Sequence, residues 1–152
     1  AKCMIEIREA RPEEAPVIAE FNQAMALETE NKHLDGKVIL AGVTRMIQDR
    51  ELGFYLVALI EDDIAGCLGI TTEWSDWRDG LFWWVQSVYV SPEFRGKGVF
   101  SKLYQRVKEL AKRDKGICGI RLYAEKENER AIRTYRRLGM SVTDYRLLEE
   151  LF

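Results

Sequence analysis

The chain is poor in the residue types from which many catalytic and metal sites are built. It has one histidine, His33, among 152 residues. Any site that needs two histidines is excluded, and His33 itself reads as a surface or packing residue. Three cysteines, Cys3, Cys67 and Cys118, are scattered and odd in number. They lack the close spacing of a zinc site and read as small buried hydrophobes of a reducing compartment. No apolar run approaches the ~20 residues that cross a bilayer. The opening AKCMIEIREA has no long apolar stretch of the signal-peptide kind, so a cytoplasmic location is expected. Neither sign of charge dominates: 23 Lys and Arg stand against 25 Asp and Glu. That balance gives no general pull toward nucleic acid or acidic membranes. There is no GxxxxGK[ST], and no GxGxxG closes a first βαβ strand, so a P-loop is excluded and a dinucleotide fold is unsupported.

What is present is a core. Hydrophobic residues make up 47% of the chain, too many for a disordered segment and enough for one ordinary domain, taken here as 1–152. Residues 4–9 (MIEIRE) alternate apolar and polar, as a strand with one buried face does. Arg11-Pro12-Glu13-Glu14 opens a helix, with Pro in the first turn and two acids at its positive end. A second helical stretch covers about 35–50, and Gly53 ends it. Strand-like runs follow at 54–60, 64–73 and 81–90, separated by Glu61-Asp62-Asp63 and by the hairpin signal Asp79-Gly80. Helical spacing returns from Gly98 to about Asp114, where Val99, Leu103, Val107, Leu110 and Ala111 form one stripe. Residues 117–124 read as a strand. Residues 129–138 read as a helix capped by Asn128 and stopped by Gly139. A last strand is expected over about 140–148. The order describes one mixed α+β domain.

The most informative stretch is 85–107, VQSVYVSPEFRGKGVFSKLYQRV. A strand ends at Ser91-Pro92, and the loop Arg95-Gly96-Lys97-Gly98 leads directly into a helix. The first turn of a helix leaves about four N–H groups without partners, all facing one way. A preceding glycine loop lets an anion approach the backbone, which makes a phosphate or pyrophosphate site. Arg95 and Lys97 add formal charge. An ordinary strand-to-helix turn with solvated lysines would need the same glycines, so they alone do not decide.

The run Val88-Tyr89-Val90-Ser91-Pro92-Glu93-Phe94-Arg95-Gly96-Lys97-Gly98-Val99 resembles motif A of the GNAT (Gcn5-related N-acetyltransferase) superfamily. There Arg/Gln-x-x-Gly-x-Gly/Ala follows a strand ending in aliphatic-x-Val. Phe100 departs from the pattern, since the family has Gly or Ala at that position. The segment from Asn128 through Ala131 and Tyr135 to Gly139-Met140 resembles motif B, and the element order agrees along the whole chain. The resemblance implies a mixed, mostly antiparallel sheet of about six to seven strands with about four helices. It implies acetyl-CoA as cofactor and direct transfer of an acetyl group to a primary amine of a small molecule or peptide. A fold that holds acyl-CoA as a sensor without turnover is the alternative. A nucleic-acid-binding domain built on the helix at 95–115, with eight Lys/Arg and two Asp/Glu, is opposed by the acidic chain and by the helix's apolar stripe.

By that resemblance the backbone of Arg95, Gly96, Lys97, Gly98, Val99, Phe100 and Ser101 holds the pyrophosphate. The strand edge at Val88, Tyr89 and Val90 pairs with the pantetheine amides. Tyr135 falls where the family's tyrosine protonates the departing sulfur, though it also shares a helical stripe with Ile132 and Leu138. Asn128 orients the cofactor or caps its helix. An amine with a pKa near ~10.4 must lose a proton before it attacks. Glu73, in GITTEWSDW, is the first candidate for that base, and a water relay is the alternative. Glu28 and Glu30, with Trp74 and Asp76, are candidate acceptor contacts, since aromatic faces and carboxylates together favour a cation. No metal is implied. Nothing in the sequence fixes an oligomeric state, and a homodimer is compatible with this size and family.

Overall fold

The computed structural model describes residues 4–152; Cys3 lies outside them. The chain divides into two compact units, residues 1–122 and 123–152. The first unit holds a five-stranded sheet in the order β1-β2-β3-β4-β5. Its elements are β1 (Ile5–Glu9), α1 (Ala15–Glu30), α2 (Gly36–Gln48), β2 (Phe54–Ile60), β3 (Asp63–Ser75), β4 (Gly80–Val90), α3 (Val99–Arg113) and β5 (Ile117–Leu122). A single 3₁₀ turn, Pro12–Glu14, leads into α1. Four strands pair antiparallel in chain order, while β5 returns parallel to β4 after the α3 crossover.

Each face of the sheet is covered because the strands carry two apolar sets. Leu56, Ala58, Leu68, Ile70, Trp83 and Val85 face α3 and meet Val99, Leu103 and Val107. Tyr55, Val57, Leu59, Cys67 and Tyr89 face the other way and meet Ile18, Ala19 and Phe21 of α1 and Val43 of α2. Every residue of β2 is therefore buried, as expected of a strand with helices on both sides. Burial pushes the Cys67 thiol up to about 12, so this sulfur behaves as a small hydrophobe. Cys118, by contrast, is exposed on β5, which corrects its expected burial. The turn between β2 and β3 has positive φ at both Glu61 and Asp62, the geometry that matches the twist of a hairpin.

One irregularity shapes the functional end. Leu68 pairs with Val88 and Ile70 with Val85, so Gly69 alone faces Gln86 and Ser87. This β-bulge inserts one residue into β4 and flips its alternation beyond that point. Val85 and Val88 consequently both face the α3 side, and Tyr89 turns to the α1 side.

The second unit contains α4 (Glu129–Arg137). The strand expected over 140–148 does not form: residues 140–152 carry no strand pairing and are mostly exposed. The sheet thus has five strands rather than six or seven. The segment has strand-like composition, but a strand exists only through its pairing, and composition alone does not supply it.

Candidate active site

The site is built where β4 runs out of sheet. Pairing between β4 and β5 ends at Val85 and Leu122, yet β4 continues five residues further to Val90. The two strands part there, and the β5-side edge of Gln86–Val90 is left without a strand among the described residues. Such an edge offers backbone N–H and C=O groups to an extended amide-bearing chain.

Beyond Val90 the chain turns sharply. The Ser91 N–H donates to the Ala65 carbonyl at 2.8 Å, and Pro92–Phe94 forms one 3₁₀ turn. Gly96 and Gly98 adopt left-handed φ of +78° and +82°, and a Cβ on either would meet nothing within 4 Å. Glycine is therefore required here for backbone conformation, and the space beside it is open. Gly98 brings no side chain to cap α3. The loop and first turn border a depression of about 300 Å³ lined by Val90, Phe94, Arg95, Gly96, Gly98, Val99 and Phe100. Open glycines before an uncapped helix N-terminus fit a pyrophosphate. Phe100 is accommodated because its ring stacks along the helix on Tyr104, with centroids 6.2 Å apart. Lys97 and Ser101 are exposed on the same loop and first turn.

Arg95 is not a loose surface charge. Its Nε donates to the Val90 carbonyl at 2.8 Å, and its NH2 donates to Glu28 Oε2 at 2.8 Å. Tyr89 donates its hydroxyl to the other oxygen, Glu28 Oε1, at 3.1 Å. The guanidinium also lies 5.4 Å from the Tyr89 ring centroid. Arg95 and Tyr89 hold the Glu28 carboxyl below the usual range, while burial and that carboxylate raise the Tyr89 phenol. Glu28, expected as an acceptor contact, thus ties the last turn of α1 to the glycine loop. Glu30 is exposed at the end of the same helix, and His33 is exposed just beyond it.

Glu73 pairs with Phe82, and its side chain reaches along the sheet face toward the point where β4 and β5 part. Its Oε1 accepts from Trp84 Nε1 at 3.0 Å and from Arg121 NH1 at 2.9 Å. Trp84 and Arg121 are register partners one step before β4 and β5 part. The carboxylate is therefore held at the mouth of the gap, with Oε2 outside these two bonds. Arg121 packs 3.6 Å over the Phe82 ring centroid. Gln86 donates to Thr71 Oγ1 at 3.0 Å, two residues further along β4. Trp74 and Asp76 lie the other way. Trp74 pairs with Leu81 and, as the strand neighbour of Glu73, points to the opposite face of the sheet. Asp76 sits in the turn beyond it, so neither joins the Glu73 cluster. Arg121 and Gln86 were missed by sequence reasoning. Their signal was a polar interruption of an otherwise apolar strand: Arg121 in ICGIRL, and Gln86 with Ser87 in LFWWVQSVYV.

In the second unit, Asn128 Oδ1 accepts from the Ala131 N–H at 3.2 Å, so it caps α4. Tyr135 is half-buried on α4, and burial raises its phenol above the ordinary value. Its hydroxyl consequently stays protonated through neutral pH.

Residues 9–140 match the model of the acetyltransferase (GNAT) family. The chain belongs to the GNAT acetyltransferase family. A protein from Clostridium difficile 630, described as "a possible acetyltransferase", is 44% identical over 98% of both chains, with a TM-score of 0.92. A thialysine N-epsilon-acetyltransferase from Bos taurus is 39% identical over 66 residues, 43% of this chain and 38% of the relative. The chain thus aligns with well under half the length of that curated relative. An aminoglycoside N-acetyltransferase solved in complex with CoA shares the fold at 16% identity, with a TM-score of 0.77 over 99% of this chain and 97% of the other. Among the described residues no helix is long and apolar enough to cross a membrane, and no group of His, Cys, Asp or Glu is arranged to hold a metal.

Proposed function

We propose that this protein is an acetyl-CoA-dependent N-acetyltransferase acting on the primary amine of a lysine-like amino acid or a similar small amine. One observation carries the reading. Strand β4 loses its neighbour at Val85, runs on with an open edge, and ends in an open glycine loop at an uncapped helix N-terminus. That combination suits a ligand with an extended amide arm and a pyrophosphate at one end. The arm would lie along Val88 to Val90, and the backbone from Arg95 to Ser101 would hold the pyrophosphate. When bound, acetyl-CoA supplies a thioester carbonyl open to attack. The acceptor class rests on the thialysine relative, with Glu73, which Trp84 and Arg121 hold in place, as its proposed carboxylate contact.

Within this reading Glu73 attracts the acceptor's ammonium and takes its proton at Oε2, since Oε1 already serves two donors. Tyr135 gives its proton to the sulfur as the carbon–sulfur bond breaks, a role carried over from the motif B resemblance. The raised phenol keeps that proton available at neutral pH. The cytoplasm is the proposed location, since the donor is found there.

Thiol release from acetyl-CoA, followed with a panel of amines, tests the proposal. The panel holds thialysine, lysine, polyamines, aminoglycosides and peptides with free N-termini. Release that depends on one amine class and falls in Glu73→Gln supports it. Tight CoA binding without amine-dependent release would favour the sensor reading instead, and no CoA binding at all would overturn the cofactor site.

A further inference from the structure

Two guanidiniums and one carboxylate gather around a single ring, and their charges do not balance. Phe82 stands directly opposite Glu73 in the β3–β4 register and is only 7% exposed. Its ring is seated over Gly119 of β5, where an added Cβ would come within 2.7 Å of it. Arg121 reaches the ring from β5, with its guanidinium carbon 3.6 Å from the centroid. Arg78 reaches it from the turn between β3 and β4, at 5.0 Å. The ring attracts each cation, but the cations repel one another. Glu73 answers one of them through its 2.9 Å bond to Arg121. Arg78 has no such answer among the described residues: its hydrogen bond is to the Ser75 hydroxyl at 3.4 Å, although Asp76 and Asp79 share its turn. The cluster therefore carries one net positive charge. Arg121 has also given Glu73 only one of a guanidinium's five N–H donors.

We propose that Arg78 and Arg121 bind the carboxylate of the acceptor, so that the acceptor is a free amino acid rather than a polyamine, an aminoglycoside or a lysine within a peptide. The proposal rests on the reading of Glu73 as the contact of the acceptor's amine. Chemistry agrees: a guanidinium presents a planar fork of donors that matches a carboxylate, and an incoming anion meets the charge that the protein leaves unanswered. Spacing agrees as well. The Glu73 carboxylate reaches forward to the row of Trp84 and Arg121, next to the gap. Phe82 lies one same-face step back toward the turn, about 6.6 Å along β4 at ~3.3 Å per residue. A lysine-like chain has six bonds between its terminal nitrogen and its carboxyl carbon, about 7–8 Å when extended. With its amine at Glu73 Oε2, its carboxylate falls beside the two guanidiniums. A polyamine in the same pose brings a second ammonium against Arg78, and that repulsion discriminates as much as the attraction does.

Ligand-observed NMR titration of the intact chain at saturating CoA tests this, since CoA carries no acetyl group and allows no turnover. The ligands are L-lysine and 1,5-diaminopentane, which is the same chain without its carboxylate. Lysine is expected to bind about 10-fold or more tightly. That ratio should fall about 3- to 10-fold in Arg78→Gln, and further in Arg78→Glu, where attraction becomes repulsion. Arg78 is exposed, so the far-UV spectrum and melting temperature should survive both substitutions. A merely structural role for Arg78 would weaken both ligands alike and leave the ratio unmoved. Equal binding of the two ligands, no binding of lysine, or a ratio indifferent to Arg78 overturns the proposal. Thiol release from acetyl-CoA is followed separately with the same two amines. Carboxylate-dependent binding without release would uphold this site and overturn the transfer reading. Release without preference for lysine would do the reverse.

Discussion

Gly98 and Gly42 should respond oppositely to the same added methyl group. Both have open surroundings: a Cβ at either position would meet nothing within 4 Å. Packing therefore cancels, and only backbone conformation distinguishes them. Gly42 lies inside α2 (Gly36–Gln48), where alanine is favoured over glycine by roughly 0.5–1 kcal/mol. Gly42→Ala should raise the melting temperature by about 2 °C, at ~2–4 °C per kcal/mol for a chain of this size. Gly98 sits at φ +82°, where a Cβ costs roughly 1–2 kcal/mol. If the loop holds its shape, Gly98→Ala lowers the melting temperature by about 2–8 °C. If the loop relaxes instead, the amides of the first turn of α3 rotate away from the anion. CoA binding then weakens by about 5- to 30-fold, the same free energy expressed as affinity. Differential scanning calorimetry and titration of CoA by calorimetry read the two channels together. The combined loss should come to about 1–2 kcal/mol. A Gly98→Ala protein that melts and binds CoA like the parent would refute the conclusion that this loop requires left-handed glycine.

Three further outcomes follow from side chains. Arg8 grips Glu14 with two bonds of 2.8 and 2.7 Å, and Glu14 also accepts from the Arg11 N–H at 2.7 Å. Glu14→Gln should therefore cost about 2 kcal/mol of stability by urea denaturation. Arg8 holds the Glu14 carboxyl below its ordinary value, so its stabilisation is complete above about pH 4.5 and is lost as pH falls through the depressed value. The variant should show a flatter acid limb, and an unchanged limb would refute this assignment. Tyr135→Phe should lower kcat by about 100-fold while leaving the CoA dissociation constant within about twofold; a loss of CoA affinity as large as the loss of kcat would mark a packing role. Glu28→Ala frees Arg95 and should raise the CoA dissociation constant by about 3- to 10-fold through lost preorganisation. Unchanged or tighter binding would show that the tether to α1 does not serve the loop.

Most of the element order was legible because it is written in local chemistry. The run FYLVALI is a strand from its β-branched and aromatic content, and it occupies 54–60 as read. The stripe from Val99 to Ala111 is a helix face, and it packs where its spacing predicts. The glycine loop was legible for the same reason, since left-handed conformations select their residue. What escaped is what depends on partners distant in sequence. The parallel register of β5 brings Arg121 to Glu73 across 48 residues, and no local pattern encodes it. Glu28 was expected as an acceptor contact, and only the fold sets it beside Arg95, 67 residues away. The strand at 140–148 was expected from composition, but a strand exists only through its pairing, and none forms over these residues.

The bulge in β4 joins these observations into one device. Without the extra residue at Gln86–Ser87, strict alternation from Val85 would turn Val88 toward α1 and Tyr89 toward α3. Tyr89 could then not donate to Glu28, and Glu28 would lose one of the two groups that fix it. Arg95 would keep its bond to the Val90 carbonyl but lose the ring beneath it. The same inserted residue coincides with the end of β4–β5 pairing at Val85, because a bulge increases local twist and swings the strand out of plane. One irregularity therefore opens the strand edge and aims the aromatic ring that steadies the loop at its far end. This is why Gln86 and Ser87, two polar residues inside an apolar strand, carry more functional information than the apolar residues around them.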